Sequence, residues 1–180
     1  MAFVVYMTFL TVAENLKIGD MASQLSFQRF MEFGYLDVHF SVTRSSAASA
    51  FFSPEYSTVR EMGGVGDVLA VKLIAEIGDV RRLHSAKALI AWAGIDPPPY
   101  ESGQFVGSKR KITKRGSSTL RKVGYEVMRV LKSHPAPKDD AVYNYILKKE
   151  REGKSKKHAK IAGLNKFLRI YYARVIAVYQ

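Results

Sequence analysis

Gly63-Gly-Val-Gly-Asp-Val-Leu-Ala-Val-Lys-Leu-Ile-Ala-Glu-Ile-Gly-Asp79 is the stretch whose reading decides the fold. From Asp67 onward, Ala70, Leu73, Ile74 and Ile77 recur three and four positions apart, the apolar stripe of a helix, and Gly78 supplies its stop. The glycines in front permit a tight turn, and their amides, with the N-terminus of the next helix, can grip a phosphate. This is the form of a helix-hairpin-helix, which positions nucleic acid without reading its sequence. Gly64 and Gly66 are its candidate contacts. A plain glycine turn between packed helices has the same letters. No Gly-Lys-Ser/Thr follows, which excludes a P-loop, and the third glycine of a dinucleotide fingerprint is missing.

Downstream, Ser85 is placed to cap a second helix carrying Ala88, Leu89, Trp92 and Ala93, ended by Gly94. Ile95 to Gly116 then reads as one long loop, opening on Asp96-Pro-Pro-Pro99. Patternless loops of this length inside a domain are usually functional or disordered. Three more helices follow. The first has Leu120, Val123, Val127 and Leu131 inside, with Lys122, Glu126 and Arg129 outside. The next is favoured at its start by Asp139 and Asp140, buries Val142, Tyr145 and Ile146, and is followed by Gly153. The last and longest is striped by Ile161, Leu164, Leu168, Tyr171, Val175 and Val178, for the domain's core or for another subunit. The expected fold is mainly α: a helical domain with a helix-hairpin-helix-like segment, a long basic loop and a long C-terminal helix.

Upstream, the pattern fades. Residues 1–53 read as an N-terminal appendage of unknown fold and residues 54–180 as the helical domain. The apolar start, Met1 to Ala13, lacks a basic region and is too short to span a bilayer, so no membrane association is expected. The chain has no cysteine, which removes disulfides and thiolate metal sites and suits a cytoplasmic protein. Four scattered histidines have no ligand spacing, so no metal site is assigned.

Charge separates the two parts. Residues 1–60 hold four Lys/Arg against five Asp/Glu, a net of −1, whereas residues 61–180 hold 24 against 11, a net of +13. Excess confined to one region is the footprint of a domain that binds a polyanion. The basic loop concentrates it in Lys109, Arg110, Lys111, Lys114, Arg115, Arg121 and Lys122. If about five of these met phosphates, log affinity would fall with log salt at a slope near −4.5. The same loop holds Ser102-Gly103. The glycine admits a backbone closely and the cations can stabilise a transferring phosphoryl group, so Ser102 is a candidate nucleophile. No histidine lies near it in sequence to act as base.

Residues from about Pro54 to Tyr179 resemble the C-terminal domain of the DEDD insertion-sequence transposases, whose relatives include the pilin-gene invertases. The matching stretches are Gly64-Val-Gly66, Ala75-Glu-Ile-Gly-Asp79, Ala91-Trp-Ala-Gly94, Ser102-Gly-Gln104, Ile112-Thr-Lys-Arg-Gly-Ser117 with Leu120-Arg-Lys122, and Asn165-Lys-Phe-Leu-Arg169. The resemblance implies a DNA recombinase in two parts. An N-terminal RNase H-like domain holds magnesium through Asp/Glu, and the C-terminal domain supplies a serine that attacks a DNA phosphodiester. It also implies DNA as partner, a guide RNA in some members, and assembly as a homo-oligomer or with a full-length transposase. Ser102 is the position carried over as nucleophile, with Ser108, Ser117 and Ser118 behind it. Thr113 stands where the resemblance would put a serine, and the other departures lie upstream: Glu14, Asp20, Glu32, Asp37 and Glu55 make no recognisable metal pattern, and sixty residues are too few for that nuclease fold. The metal-binding domain is therefore expected to be missing here, as in a truncated or frame-shifted gene. No cofactor is expected on this chain, with magnesium belonging to the intact enzyme. The alternative is a non-catalytic nucleic-acid-binding module or an inactive remnant.

Overall fold

The computed structural model describes residues 49–97, 111–135 and 141–180, together with the backbone of residues 101–102 and 105–106. The chain divides between Phe40 and Ser41, and every described residue belongs to the second unit. The expected N-terminal helix start at Asp139 and Asp140 lies outside the described residues, as do the Lys109 and Arg110 positions.

The unit is mainly α, as expected. Residues 49–51 are helical and bury Ala50 and Phe51. There follow α1 (Tyr56–Arg60), α2 (Asp67–Ile77), a 3-10 turn (Val80–Arg82), α3 (Ala86–Ala93), strands β1 (Glu101–Ser102) and β2 (Phe105–Val106), α4 (Ser118–Ser133), α5 (Ala141–Arg151) and α6 (Lys156–Val178). Ser85 caps α3 as expected, its hydroxyl accepting from the Ala88 amide, and Ser117 caps α4 by accepting from Leu120, each satisfying a donor that the helix start leaves unpaired.

The long helix α6 organises the rest, touching α1, the 3-10 turn, α3, α4 and α5. Its stripe is spent on the domain's own core: Leu164, Leu168, Tyr171 and Val175 are buried. Phe167 joins them, while Ile161 is half-buried and Val178 is 37% exposed, so the apolar face is rotated slightly from the expected one. Each such fully buried side chain stabilises the fold by about 1.5–3 kcal/mol. Two small residues set how near the helices come. A Cβ on Gly124 of α4 would lie 2.5 Å from Leu164 Cδ1, and one on Gly163 of α6 would lie 2.5 Å from Ile146 Cγ1. The far end of α6 is held by the Tyr179 hydroxyl, which donates to the buried Glu55 carboxylate. Burial, and then that bond, push the Tyr179 pKa up to about 12.

Two expectations are corrected. Trp92 does not join the buried face of α3; it is 41% exposed, and Ile90 is buried instead. The Arg82 guanidinium, from the 3-10 turn that precedes α3, lies 4.7 Å over the indole ring, a cation–π contact that stabilises the ring at the surface. The stretch 95–116 is also not one patternless loop. β1 and β2 pair antiparallel in the register Glu101↔Val106 and Ser102↔Phe105.

Candidate nucleic-acid interface

The site grows from the end of α3. Gly94 terminates that helix at φ +62, a left-handed conformation that a side chain strains. The reversed chain lets residues 113–117 lie directly against residues 92–96. The Ser117 amide donates to the Trp92 carbonyl at 2.7 Å, Lys114 to Gly94 at 2.9 Å and Thr113 to Asp96 at 3.0 Å. Gly116 sits so close that a Cβ there would lie 2.1 Å from the Trp92 carbonyl oxygen. The sequence stretches Ala91-Trp-Ala-Gly94 and Ile112-Thr-Lys-Arg-Gly-Ser117 are thus two halves of one backbone junction.

Three side chains lock it. The Thr113 hydroxyl donates to Asp96 Oδ1 at 2.7 Å, closing the seventeen-position excursion that carries Ser102. The Ser117 hydroxyl donates to Glu76 Oε1 of α2 at 2.5 Å, a link across 41 positions, while capping α4. Arg121 Nη1 donates to the carbonyls of Ala93 (3.1 Å) and Gly116 (2.9 Å), satisfying an acceptor at the C-terminus of α3. Glu76 was not singled out from the sequence; the only signal was an acid in the last turn of the helix, half-buried beside its apolar stripe. Ser117, a fallback nucleophile, has its hydroxyl committed to these two bonds.

The expected cations fall into distinct roles. Lys111, Lys114, Arg115 and Lys122 are exposed around the junction, whereas Arg121 is half-buried and structural. Lys72 of α2 lies near Lys122 and Glu126. Burial lowers its ammonium pKa, Glu126 works against that shift and Lys122 adds to it. Ser102 lies in β1, paired with Phe105.

Gly64 and Gly66 do not join this cluster. Gly64 (φ +79) faces the other half of α4, where a Cβ would lie 2.8 Å from Leu131 Cβ and 2.9 Å from the Val127 carbonyl. That is roughly 15 Å along α4 from the Ser117–Lys122 turn. Packing alone requires a glycine there. Gly66 is the exposed N-cap of α2, with open space around its Cα.

Among the described residues, no three His, Asp or Glu form a group that could hold a metal ion. No described helix is long and apolar enough to cross a membrane.

Over 117 residues the chain is 29% identical to the pilin gene-inverting proteins of Moraxella bovis and Moraxella lacunata, covering 65% of this chain and 35% of theirs. It is 32% identical over 95 residues to the insertion element IS116 uncharacterized 44.8 kDa protein of Streptomyces clavuligerus, covering 53% of this chain and 23% of that protein. The match thus spans about a third or less of these relatives' own length. Residues 56–144, from α1 into α5, match the Transposase IS116/IS110/IS902 family. Through that segment, which contains the whole Gly94–Gly116 junction and its Ser117 and Arg121 locks, the chain belongs to this family of insertion-sequence transposases.

Proposed function

We propose that this chain binds DNA and serves in DNA transposition or site-specific recombination as the C-terminal part of a transposase, with residues 54–180 gripping the substrate and Ser102 attacking a phosphodiester. The observation that carries the reading is the stapled excursion between Asp96 and Thr113. Its root is immobilised by backbone bonds to α3, and exposed Lys111, Lys114 and Arg115 stand at that root. A loop that carries a serine-glycine step on so rigid a base, ringed by cations, suits a reaction that depends on positioning and on charge stabilisation. The names of the pilin gene-inverting relatives support DNA inversion as the class of reaction.

In the attack, Ser102 Oγ gives up its proton and forms a bond to phosphorus, the bond from phosphorus to the leaving deoxyribose oxygen breaks, and that oxygen takes up one proton, so that none is gained or lost overall. The magnesium carboxylates of the intact family enzyme would come from outside the described residues, so no step here runs through a metal. A guide RNA, a second copy of this chain or a full-length transposase are the partners this reading allows.

The test mixes the purified chain with labelled element-end DNA over a range of salt, with and without a full-length relative. Salt-sensitive binding is expected, with Ser102→Ala retaining binding and losing strand cleavage in the complemented reaction. Absence of salt-sensitive binding under every condition ends the proposal. An unchanged cleavage yield for Ser102→Ala would leave a non-catalytic binding module.

A further inference from the structure

The junction uses only part of the positive charge. Residues 148–160 carry seven Lys/Arg against two Glu, a net of +5 within one short stretch. They fold into the tip of a helical hairpin: the end of α5, a turn through Gly153, and the start of α6 capped by Ser155. Lys148, Arg151, Lys154, Lys156 and Lys157 are all exposed, and Lys160 lies 5.5 Å from the Tyr125 ring.

Both acids of the tip are already engaged. Glu150 pairs with Lys132 of α4, and Glu152 pairs with Lys149 at 2.7 Å. The hydrogen bond from Lys149, with Lys148 and Lys154 nearby, holds the Glu152 carboxyl below its ordinary pKa, so it stays charged yet outnumbered.

Stability does not account for the rest. Lys148, Lys149 and Arg151 complement the dipole at the C-terminus of α5. Lys156, Lys157 and Lys160 stand at the opposite pole, in the opening turns of α6, where the dipole disfavours cations and no acid offsets them. A local conflict of this kind, on the exposed Lys156 and Lys157, marks a functional demand.

We infer that the α5–α6 tip is a second phosphate-binding surface, one that clamps the backbone of duplex DNA without reading bases. The inference rests on the reading that this chain binds DNA. Six of the seven cations are lysines, point charges suited to phosphate, whereas arginine forks suit bidentate contact with guanine. Two packed helices measure roughly 20 Å across and do not enter a major groove about 12 Å wide, so the tip rests on the strands that border it. Glu76–Ser117 marks one end of α4 and Lys132–Glu150 the other. The tip also meets α4 at Tyr125 through Lys160, so along that helix the two basic surfaces lie roughly 12–22 Å apart, about four to six base pairs of duplex. Gly64 also packs against this second end of α4.

The test uses the full chain carrying Lys154→Gln, Lys156→Gln and Lys157→Gln together. Fluorescence anisotropy follows binding to two unrelated labelled duplexes and to a single-stranded RNA of equal length, across a salt series. The salt slope is expected to shrink by about 2.7, at about 0.9 per lost phosphate contact, and equally for both duplexes. Thermal unfolding is expected to stay unchanged or rise slightly, which excludes a folding defect. A second variant, Lys111→Gln with Arg115→Gln, is expected to lose about 1.8 from the slope independently. If the tip variant keeps the wild-type slope while the loop variant loses its share, this inference falls and the DNA reading stands. Loss confined to the RNA, or to one duplex, also overturns it. A wild-type chain that binds none of the probes sinks both.

Discussion

Replacing Gly116 by Ala should be among the most damaging single-methyl changes available in this chain. The new Cβ would lie 2.1 Å from the Trp92 carbonyl oxygen, 2.6 Å from the Trp92 carbonyl carbon and 2.6 Å from the Gly94 nitrogen. All three are backbone atoms, so no side chain can turn aside; the strand 113–117 must lift from α3. Lifting it opens the bonds Ser117 N to Trp92 O and Lys114 N to Gly94 O, and pulls Arg121 from at least one of its two carbonyls. Two neutral bonds at about 1 kcal/mol and one charged bond at about 1.5 kcal/mol put the loss at roughly 3.5 kcal/mol. For a chain of this size that corresponds to a fall of roughly 7–14 °C in Tm. Circular dichroism at 222 nm during heating, supported by urea denaturation, reads it directly. Gly66→Ser is the matched control: its Cβ meets nothing within 4 Å, its φ of −101° is open to any residue, and serine is a good N-cap. The control should unfold at or slightly above the wild-type temperature. A Gly116→Ala protein that melts within about 2 °C of wild type would refute the close junction itself.

Two further outcomes follow from the same geometry. Ser117→Ala removes both the α4 cap and the link to Glu76, at a cost of about 1–2 kcal/mol, whereas Ser118→Ala, at the exposed first helical position, should change Tm little; equal losses for the two would contradict the capping assignment. Asp67 should make stability depend on acid: burial raises its pKa, but hydrogen bonds from Arg60 and Tyr56 outweigh burial and leave it below the ordinary value. A carboxyl that binds its proton less tightly when folded contributes stability above its unfolded pKa of about 4 and loses it as pH falls through the folded value. The gap in Tm between wild type and Asp67→Asn should therefore be greatest at neutral pH and close on acidification, and it should be small because the pair is half exposed. A gap that persists undiminished at low pH would be the contrary result.

The sequence alone settled both ends of α2 and α3 and the buried stripe of α4, because those signals are local. Ala70, Leu73, Ile74 and Ile77 recur at the period of one turn, and all four are buried. Ser85, Gly78 and Gly94 act within a few residues of where they stand, so the stop and start positions were legible without knowing any partner. The basic residues of the loop were equally legible as a class. Their sorting was not: the letters do not separate Arg121, bound to two carbonyls, from the exposed Lys122 beside it.

Tertiary structure decided what depends on elements far apart in the chain. Glu76 and Ser117 meet across 41 positions, and nothing in either neighbourhood announces the other. Trp92 falls within helical spacing of the buried Leu89, yet Arg82 from the preceding turn holds it outside. Gly64 reads as a turn glycine for phosphate, and only the approach of α4 reveals that packing would require glycine there regardless. The physical reason is common to all three. Periodicity and capping are energies of the chain with its immediate neighbours, whereas a helix's rotation, a cation's partner and the space at a Cα are set by whichever surface arrives from elsewhere in the fold.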